Sequence, residues 1–334
     1  MKIIQTMSDC KHISKGCVLT IGNFDGIHLG HQEILSFARQ KADQTSASSV
    51  EPHATELVAM TFEPHPVAIL YPEKAPGVLT PLDFKKHLLA RYGVDCLVVL
   101  RDSAELLSLS PEDFVNDILI GNIQPSIVVE GEDFNFGASR AGNIDTLKRL
   151  GIENGFKVHV VKPKTIRLSN GQIVRVSSTI VRYMLEGGHV EDACAALGRP
   201  YRLAEQIIQG RGIGKKLGFP TLNLKVPKQV IPAEGVYAGF VCIGETFQDI
   251  LGCKAEIPAA YSIGQARTYG DEFPLLIEAH LLKDDFSDVN GKYMAMDFIH
   301  HIRSQHKFKT ARELSAQIAK DCETAKQILN SYRF

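Results

Sequence analysis

The stretch Thr20-Ile21-Gly22-Asn23-Phe24-Asp25-Gly26-Ile27-His28-Leu29-Gly30-His31 follows an apolar, β-rich run, Cys17 to Ile21, and opens a helical one, His31 to Lys41. A strand that turns through glycines into a helix is the opening step of a parallel α/β sheet, whose turns gather ligands at the carboxyl ends of the strands. Free N–H groups at the helix start favour an anion, and glycines let the backbone approach a phosphate. Two imidazoles separated by Leu29-Gly30 can both face that anion. The chemistry suggested is stabilisation of negative charge on a nucleotide.

Outward from this turn, β-like runs recur at Leu57 to Phe62, Cys96 to Leu100, Ile127 to Glu130 and Val158 to Val161. Helix-like stretches at Pro81 to Tyr92, Pro111 to Ile120 and Ile144 to Leu150 separate them, so the spacing predicts a parallel sheet covered on both faces. Ala42 to Glu56, rich in Ser, Thr and Ala, reads as an exposed connection. From about Tyr201 the runs become short and alternate, at Glu205 to Ile208, Val236 to Cys242, Ala259 to Ile263, Leu275 to Leu282 and Tyr293 to Ile299. Strands without intervening helices predict a small antiparallel barrel or sandwich, closed by a helix over Ala311 to Leu329. Ser178 to Leu197 reads as helical, broken at Gly187-Gly188 and stopped by Gly198-Arg199-Pro200. The boundary falls here, giving domains 1–186 and 187–334.

The length of 334 residues agrees with two domains. Lys and Arg number 37 against 38 Asp and Glu, a net charge of −1, which removes the electrostatic case for nucleic acid or an anionic membrane as partner. Any bound phosphate must be held locally. Seven dispersed cysteines without a Cys-x-x-Cys pair argue against a disulfide framework and a cysteine-built zinc site. Met1 to Thr6 lacks the apolar run of a signal peptide and no stretch is long enough to span a bilayer, so reducing cytoplasm is the expected compartment.

A second constellation lies at Gly210-Arg211-Gly212-Ile213-Gly214-Lys215-Lys216-Leu217-Gly218-Phe219-Pro220-Thr221-Leu222-Asn223-Leu224. Glycines beside cations make an anion-binding loop, and Thr221 and Asn223, two apart on an extended segment, point their oxygens to the same side. Mg²⁺ with ATP phosphates suits such hard oxygen donors. The Gly-Lys-Ser/Thr ending of a Walker A loop is missing. By residues alone, a glycine-rich hairpin remains an equal reading.

Four motifs in order carry a resemblance: Gly22 to Gly26 running into His28 and His31; Thr61-Phe62-Glu63-Pro64-His65-Pro66; Gly131-Glu132-Asp133-Phe134-Asn135-Phe136-Gly137; and Val176-Ser177-Ser178-Thr179-Ile180-Val181-Arg182. Together they resemble the nucleotidyltransferase module of the prokaryotic bifunctional riboflavin kinase/FMN adenylyltransferases. Gly218-Phe219-Pro220-Thr221-Leu222-Asn223, with Gly235-Val236-Tyr237-Ala238, Gly291-Lys292 and Lys307-Phe308, resembles their riboflavin kinase module. The resemblance implies a Rossmann-like nucleotidyltransferase domain with a parallel sheet, followed by a small antiparallel β-barrel kinase domain with a C-terminal helix. It implies phosphorylation of riboflavin to FMN with Mg²⁺ and ATP, then adenylylation of FMN to FAD with release of pyrophosphate.

The same resemblance implies catalytic roles for His28, His31, Arg182 and Glu278, with Glu278 as base for the riboflavin hydroxyl. ATP contacts in adenylylation fall to Gly22, Phe24, Asp25, Gly30, Arg175, Ser177, Ser178 and Thr179, and flavin contacts to Phe62, His65 and Asp133. In the kinase they fall to Gly210, Gly212, Gly214, Lys215, Gly218 and Pro220, with Thr221 and Asn223 at the metal. Read alone, Ser177-Ser178-Thr179 is an N-cap, Asp133 a turn carboxylate, Asp25 a support for its turn, and His65 a loop former between prolines. Three departures from the family pattern are Arg267 in place of proline, Leu222 in place of alanine and Glu205 in place of glycine. The competing expectations are an adenylyltransferase with a non-catalytic flavin-binding barrel, a flavin-sensing regulator, and another small-substrate nucleotidyltransferase. Partners are small molecules and, at most, a transient homo-oligomer.

Overall fold

Val18–Ile21 (β2), Leu57–Phe62 (β3) and Cys96–Leu100 (β4) are buried along almost their whole length, as strands covered on both faces must be. With Lys2–Ile4 (β1), Ile127–Gly131 (β5) and Lys157–Val161 (β6) they form one parallel sheet in the order β1-β4-β3-β2-β5-β6. The order reverses at β2, between β3 and β5, which makes that position the topological switch point. The computed structural model describes residues 1–48, 54–101, 104–265, 274–283 and 289–332. Arg267 lies outside them.

Helix Leu29–Ser48 runs seven residues further than its sequence pattern suggests. Thr45 and Ser46 return their hydroxyls to the carbonyls of Lys41 and Ala42, and Ala42 is buried, so a loop-like composition is satisfied within the helix. Pro111 to Ile120 also differs, as a single turn Pro111–Asp113 passing into a wide-turned helix Phe114–Ile123.

Thr165–Arg167 (β7), which begins on the last residue of the first unit, and Ile173–Arg175 (β8) pair as a two-stranded sheet. Helices Ser178–Glu186 and Val190–Leu197 follow, separated at Gly187-Gly188 as expected. Tyr201–Ile208 (β9), Leu222–Leu224 (β10), Gly235–Gly244 (β11), Ile257–Gln265 (β12), Leu275–Leu281 (β13) and Tyr293–Ser304 (β14) close into an antiparallel barrel, in the order β10-β13-β12-β11-β14-β9. The alternation along β11 shows why: Tyr237 and Val241 enter one core with Tyr261 and Phe298. Ala238, Phe240 and Cys242 enter another with Cys322, Ala325 and Leu329 of helix Ala311–Ser331.

By contacts the units are 1–76 with 82–165, and 77–81 with 166–334. Val181, Met184 and Leu185 of Ser178–Glu186 share a core with Leu79 and the barrel, so that helix goes with the second unit. Val230 N donates to Val78 O, and Gln229 Nε2 to Leu79 O, which ties 77–81 to the same unit.

Although no disulfide framework is expected from the dispersed cysteines, Cys242 and Cys253 form one disulfide, because the β11–β12 connection folds back through the short helix Phe247–Leu251. Arg202 holds the same connection, donating to the carbonyls of Ile250, Leu251 and Cys253 while forming a two-pronged pair with Asp297 at 2.7 Å. Cys10, Cys17, Cys96, Cys194 and Cys322 are thiols, and burial pushes Cys17 and Cys194 up to about 12.

Candidate functional site

In the first unit, parallel strands bring the ends of β2, β3 and β5 to one edge of the sheet. Gly22 N donates to Met60 O, and Thr61 Oγ1 to Asn23 O, so the turn after β2 is fastened to β3. Phe24 and Ile27 adopt φ of 46° and 40°, a costly region for L side chains, and are held there by nearly complete burial. Asp25 and His28 are buried as well. The rings of His28 and His31 stack with centroids 3.7 Å apart, and Phe24 meets His31 edge-on at 5.3 Å. His31 N donates to His28 Nδ1 at 3.4 Å, so in the neutral ring the proton is on Nε2. Gly30 and His31 lie in the first turn of Leu29–Ser48.

The second motif meets the first directly. The Asn23 amide lies 2.9 Å from His65 Nε2, while His65 Nδ1 accepts from Val67 N and caps the turn Pro66–Leu70. His65 thus shapes the loop between its prolines and also meets the turn after β2. Phe62 packs against the first unit's core, and Asp133 is exposed just beyond β5. Lys85 was missed in the sequence. It is buried on helix Leu82–Arg91 with Nζ 3.8 Å from Glu63 Oε2. Burial pushes its pKa down against the pull of Glu63 and Asp25. Its only signal was a lysine in phase with the buried Phe84, Leu88 and Leu89.

Arg175, Ser177, Ser178, Thr179 and Arg182 belong to the second unit. Ser177 is the N-cap of Ser178–Glu186, accepting from Ile180 N at 3.3 Å, as its composition suggests. Ser178 and Thr179 form the first turn, Arg175 is exposed at the end of β8, and Arg182 donates from Nε to Gly77 O at 2.6 Å.

In the barrel, antiparallel pairing places Asn223 directly opposite Glu278. Thr221 Oγ1 donates to Glu278 Oε1 at 3.2 Å. Burial pushes the Glu278 carboxyl up, opposed by the Thr221 hydrogen bond and the charge of Arg211. His280, next on the same face, meets Pro220 O at 2.8 Å and fixes the entry to β10. The glycines make room: a Cβ on Gly210 would lie 2.1 Å from Asn223 Nδ2, and one on Gly214 would lie 2.4 Å from Phe219 O. Gly212 and Gly218 take positive φ, and Lys215 lies in the intervening turn Ile213–Lys216. Leu222 takes part in β10, and Glu205 sits within β9 opposite Met294.

A parallel sheet with a paired-histidine turn at its switch point, together with a closed barrel carrying a glycine-rich loop beside a Thr-Glu pair, defines a two-unit phosphoryl- and nucleotidyl-transferase. The family description "FAD synthetase" matches residues 10–179 and "Riboflavin kinase" matches 197–329. The Bifunctional riboflavin kinase/FMN adenylyltransferase of Escherichia coli (strain K12) is 32% identical over 98% of this chain and 97% of its own. That of Haemophilus influenzae is 33% identical over 99% of this chain and 100% of its own. The crystal structure named Macrolide-efflux Protein from Streptococcus pneumoniae shares the fold, with a TM-score of 0.81 and 26% identity over 98% of this chain and 99% of that one. Its name describes that protein; among the described residues here, no helix is long and apolar enough to cross a membrane. The chain belongs to the bifunctional riboflavin kinase/FMN adenylyltransferase family.

Proposed function

We propose that the barrel phosphorylates riboflavin to FMN, and that the turn from Gly22 to His31 adenylylates FMN to FAD. The observation that carries this reading is the meeting of Thr221, just before β10, with Asn223 on β10 and Glu278 on β13, a charged acceptor beside neutral oxygen donors at a glycine-rich loop. A pocket used only to sense flavin has no need of that set.

In the kinase step, the riboflavin hydroxyl oxygen attacks the γ-phosphorus of ATP, the hydroxyl proton passes to Glu278, and ADP leaves. Burial brings the Glu278 pKa nearer to neutral, which suits a general base. Gly210, Gly212, Gly214 and Gly218 let backbone N–H groups approach the phosphates, with Lys215 adding charge and Pro220 fixing the start of β10. Thr221 and Asn223 suit Mg²⁺, because both offer hard oxygen donors beside a carboxylate and ATP phosphates can complete the shell. When bound, the ion neutralises phosphate charge.

In the adenylylation step, an FMN phosphate oxygen attacks the α-phosphorus of ATP, and the bond to the β-phosphate breaks to release pyrophosphate. His28 and His31 hydrogen-bond the phosphates, with Gly22, Phe24, Asp25 and Gly30 shaping their seat. The resemblance assigns ATP contacts to Arg175, Ser177, Ser178 and Thr179 as well and a catalytic role to Arg182, and their charge, hydroxyl and N–H donors suit phosphate oxygens. Phe62, His65 and Asp133 border the flavin. The functional division falls at residue 186, the compartment is cytoplasm, and the working partners are small molecules.

Incubation with riboflavin, ATP and Mg²⁺, followed by separation of the flavins, tests the reading. FMN and then FAD are expected. Formation of neither by folded protein overturns it.

A further inference from the structure

At the switch point, β2 and β5 pair only at Val18 with Ile127 and Leu19 with Val128, although β2 runs on to Ile21 and β5 to Gly131. On its other side, β2 stays paired with β3 as far as Ile21 with Met60. The Ile21 N–H, deprived of a strand carbonyl, donates instead to Glu130 Oε1 at 2.5 Å. The next residue, Gly22, is held from the opposite side by Met60 O. A side chain thus replaces the ladder where the strands part and where ligands enter a sheet of this kind.

We propose that Glu130 is a positioning residue for adenylyl transfer: its carboxyl ends the pairing of β2 with β5 and fixes where the Gly22–His31 turn leaves the sheet. The inference rests on the assignment of that turn to the ATP phosphates. Glu130 is 2% exposed, and burial pushes its pKa well up despite the hydrogen bond from Ile21 and the hydroxyl of Thr20. Asp133, the charged group acting on it from beyond β5, raises it further. A neutral acid can hold the turn without opposing the anion bound there, whereas an ionised one would repel it.

Glu130→Gln and Glu130→Ala, measured in the full chain with riboflavin kinase activity as internal control, test this role. The glutamine keeps an acceptor for Ile21 and is always neutral. It should retain FMN adenylylation within about threefold, whereas alanine should lose about tenfold or more with the kinase step unchanged. The folded carboxyl is raised, so its stability contribution is present at low pH and fades as pH rises. Glu130→Gln should therefore melt higher than wild type near about pH 8, with a smaller gap near about pH 5. As pH rises through the Glu130 pKa, the wild-type KM for ATP in FAD formation should rise relative to that of Glu130→Gln. Equal damage from glutamine and alanine, or full adenylylation by alanine, overturns the proposal. If alanine loses both activities by unfolding, the glutamine variant decides through that difference in pH profile. His31→Ala separates the two readings: unchanged FAD formation there removes the site assignment itself, while its loss beside an unaffected Glu130→Ala removes only the role of Glu130.

Discussion

Glu278 is held between two opposing influences: burial pushes its carboxyl up, while the Thr221 hydroxyl and the Arg211 charge pull it down. Under the proposed role Glu278 is the base and must be ionised, so kinase kcat/KM should fall as pH falls through a pKa above the usual carboxylate value. Thr221→Val removes the bond at 3.2 Å that favours the ionised form, so the acid limb should move to higher pH. A pH–rate profile of FMN formation checks both statements, and an unmoved limb would contradict the assignment. At this scale the sequence showed its residue types plainly. It could not show their company: Asn223 and Glu278 are adjacent only because β10 pairs with β13, and Lys85 joins Glu63 only because its helix turns that face inward.

At the scale of elements, the glycine-rich connection is shaped by contact distances. Gly210→Ala would set a methyl group 2.1 Å from the Asn223 amide, so β10 or the loop must shift. The expected outcome is a kinase rate lower by about tenfold or more with FMN adenylylation unchanged, measured by supplying riboflavin and FMN in separate assays. Equal loss of both steps would place the damage elsewhere. The strands were legible because buried parallel strands and alternating barrel strands leave different apolar patterns, and Leu57–Phe62 and Cys96–Leu100 stand where those patterns end. The tail of Leu29–Ser48 was not legible, since Ser and Thr satisfied by their own helix look like loop residues. Nor was β1, three residues that gain their order from pairing with β4. The Cys242–Cys253 bond depends on a folded-back connection that spacing alone does not disclose.

Over the whole molecule, motif order and packing divide the chain differently. The motif's Val176 to Thr179 fall in the amino-terminal family region, which ends at residue 179, yet Val181, Met184 and Leu185 just after it are buried in the second unit's core. A chain starting at 187 lacks these three side chains, each worth about 1.5–3 kcal/mol of burial. It should therefore melt well below a chain starting at 166, as read by thermal unfolding; matching transitions would contradict the packing.

The most direct measurement of the central claim, two sites with one reaction each, follows flavin products from Glu278→Gln and His31→Ala under identical conditions with ATP and Mg²⁺. Glu278→Gln should leave riboflavin unphosphorylated while converting supplied FMN to FAD, and His31→Ala should turn riboflavin into FMN that accumulates. Parallel loss of both steps in either folded variant would contradict the account.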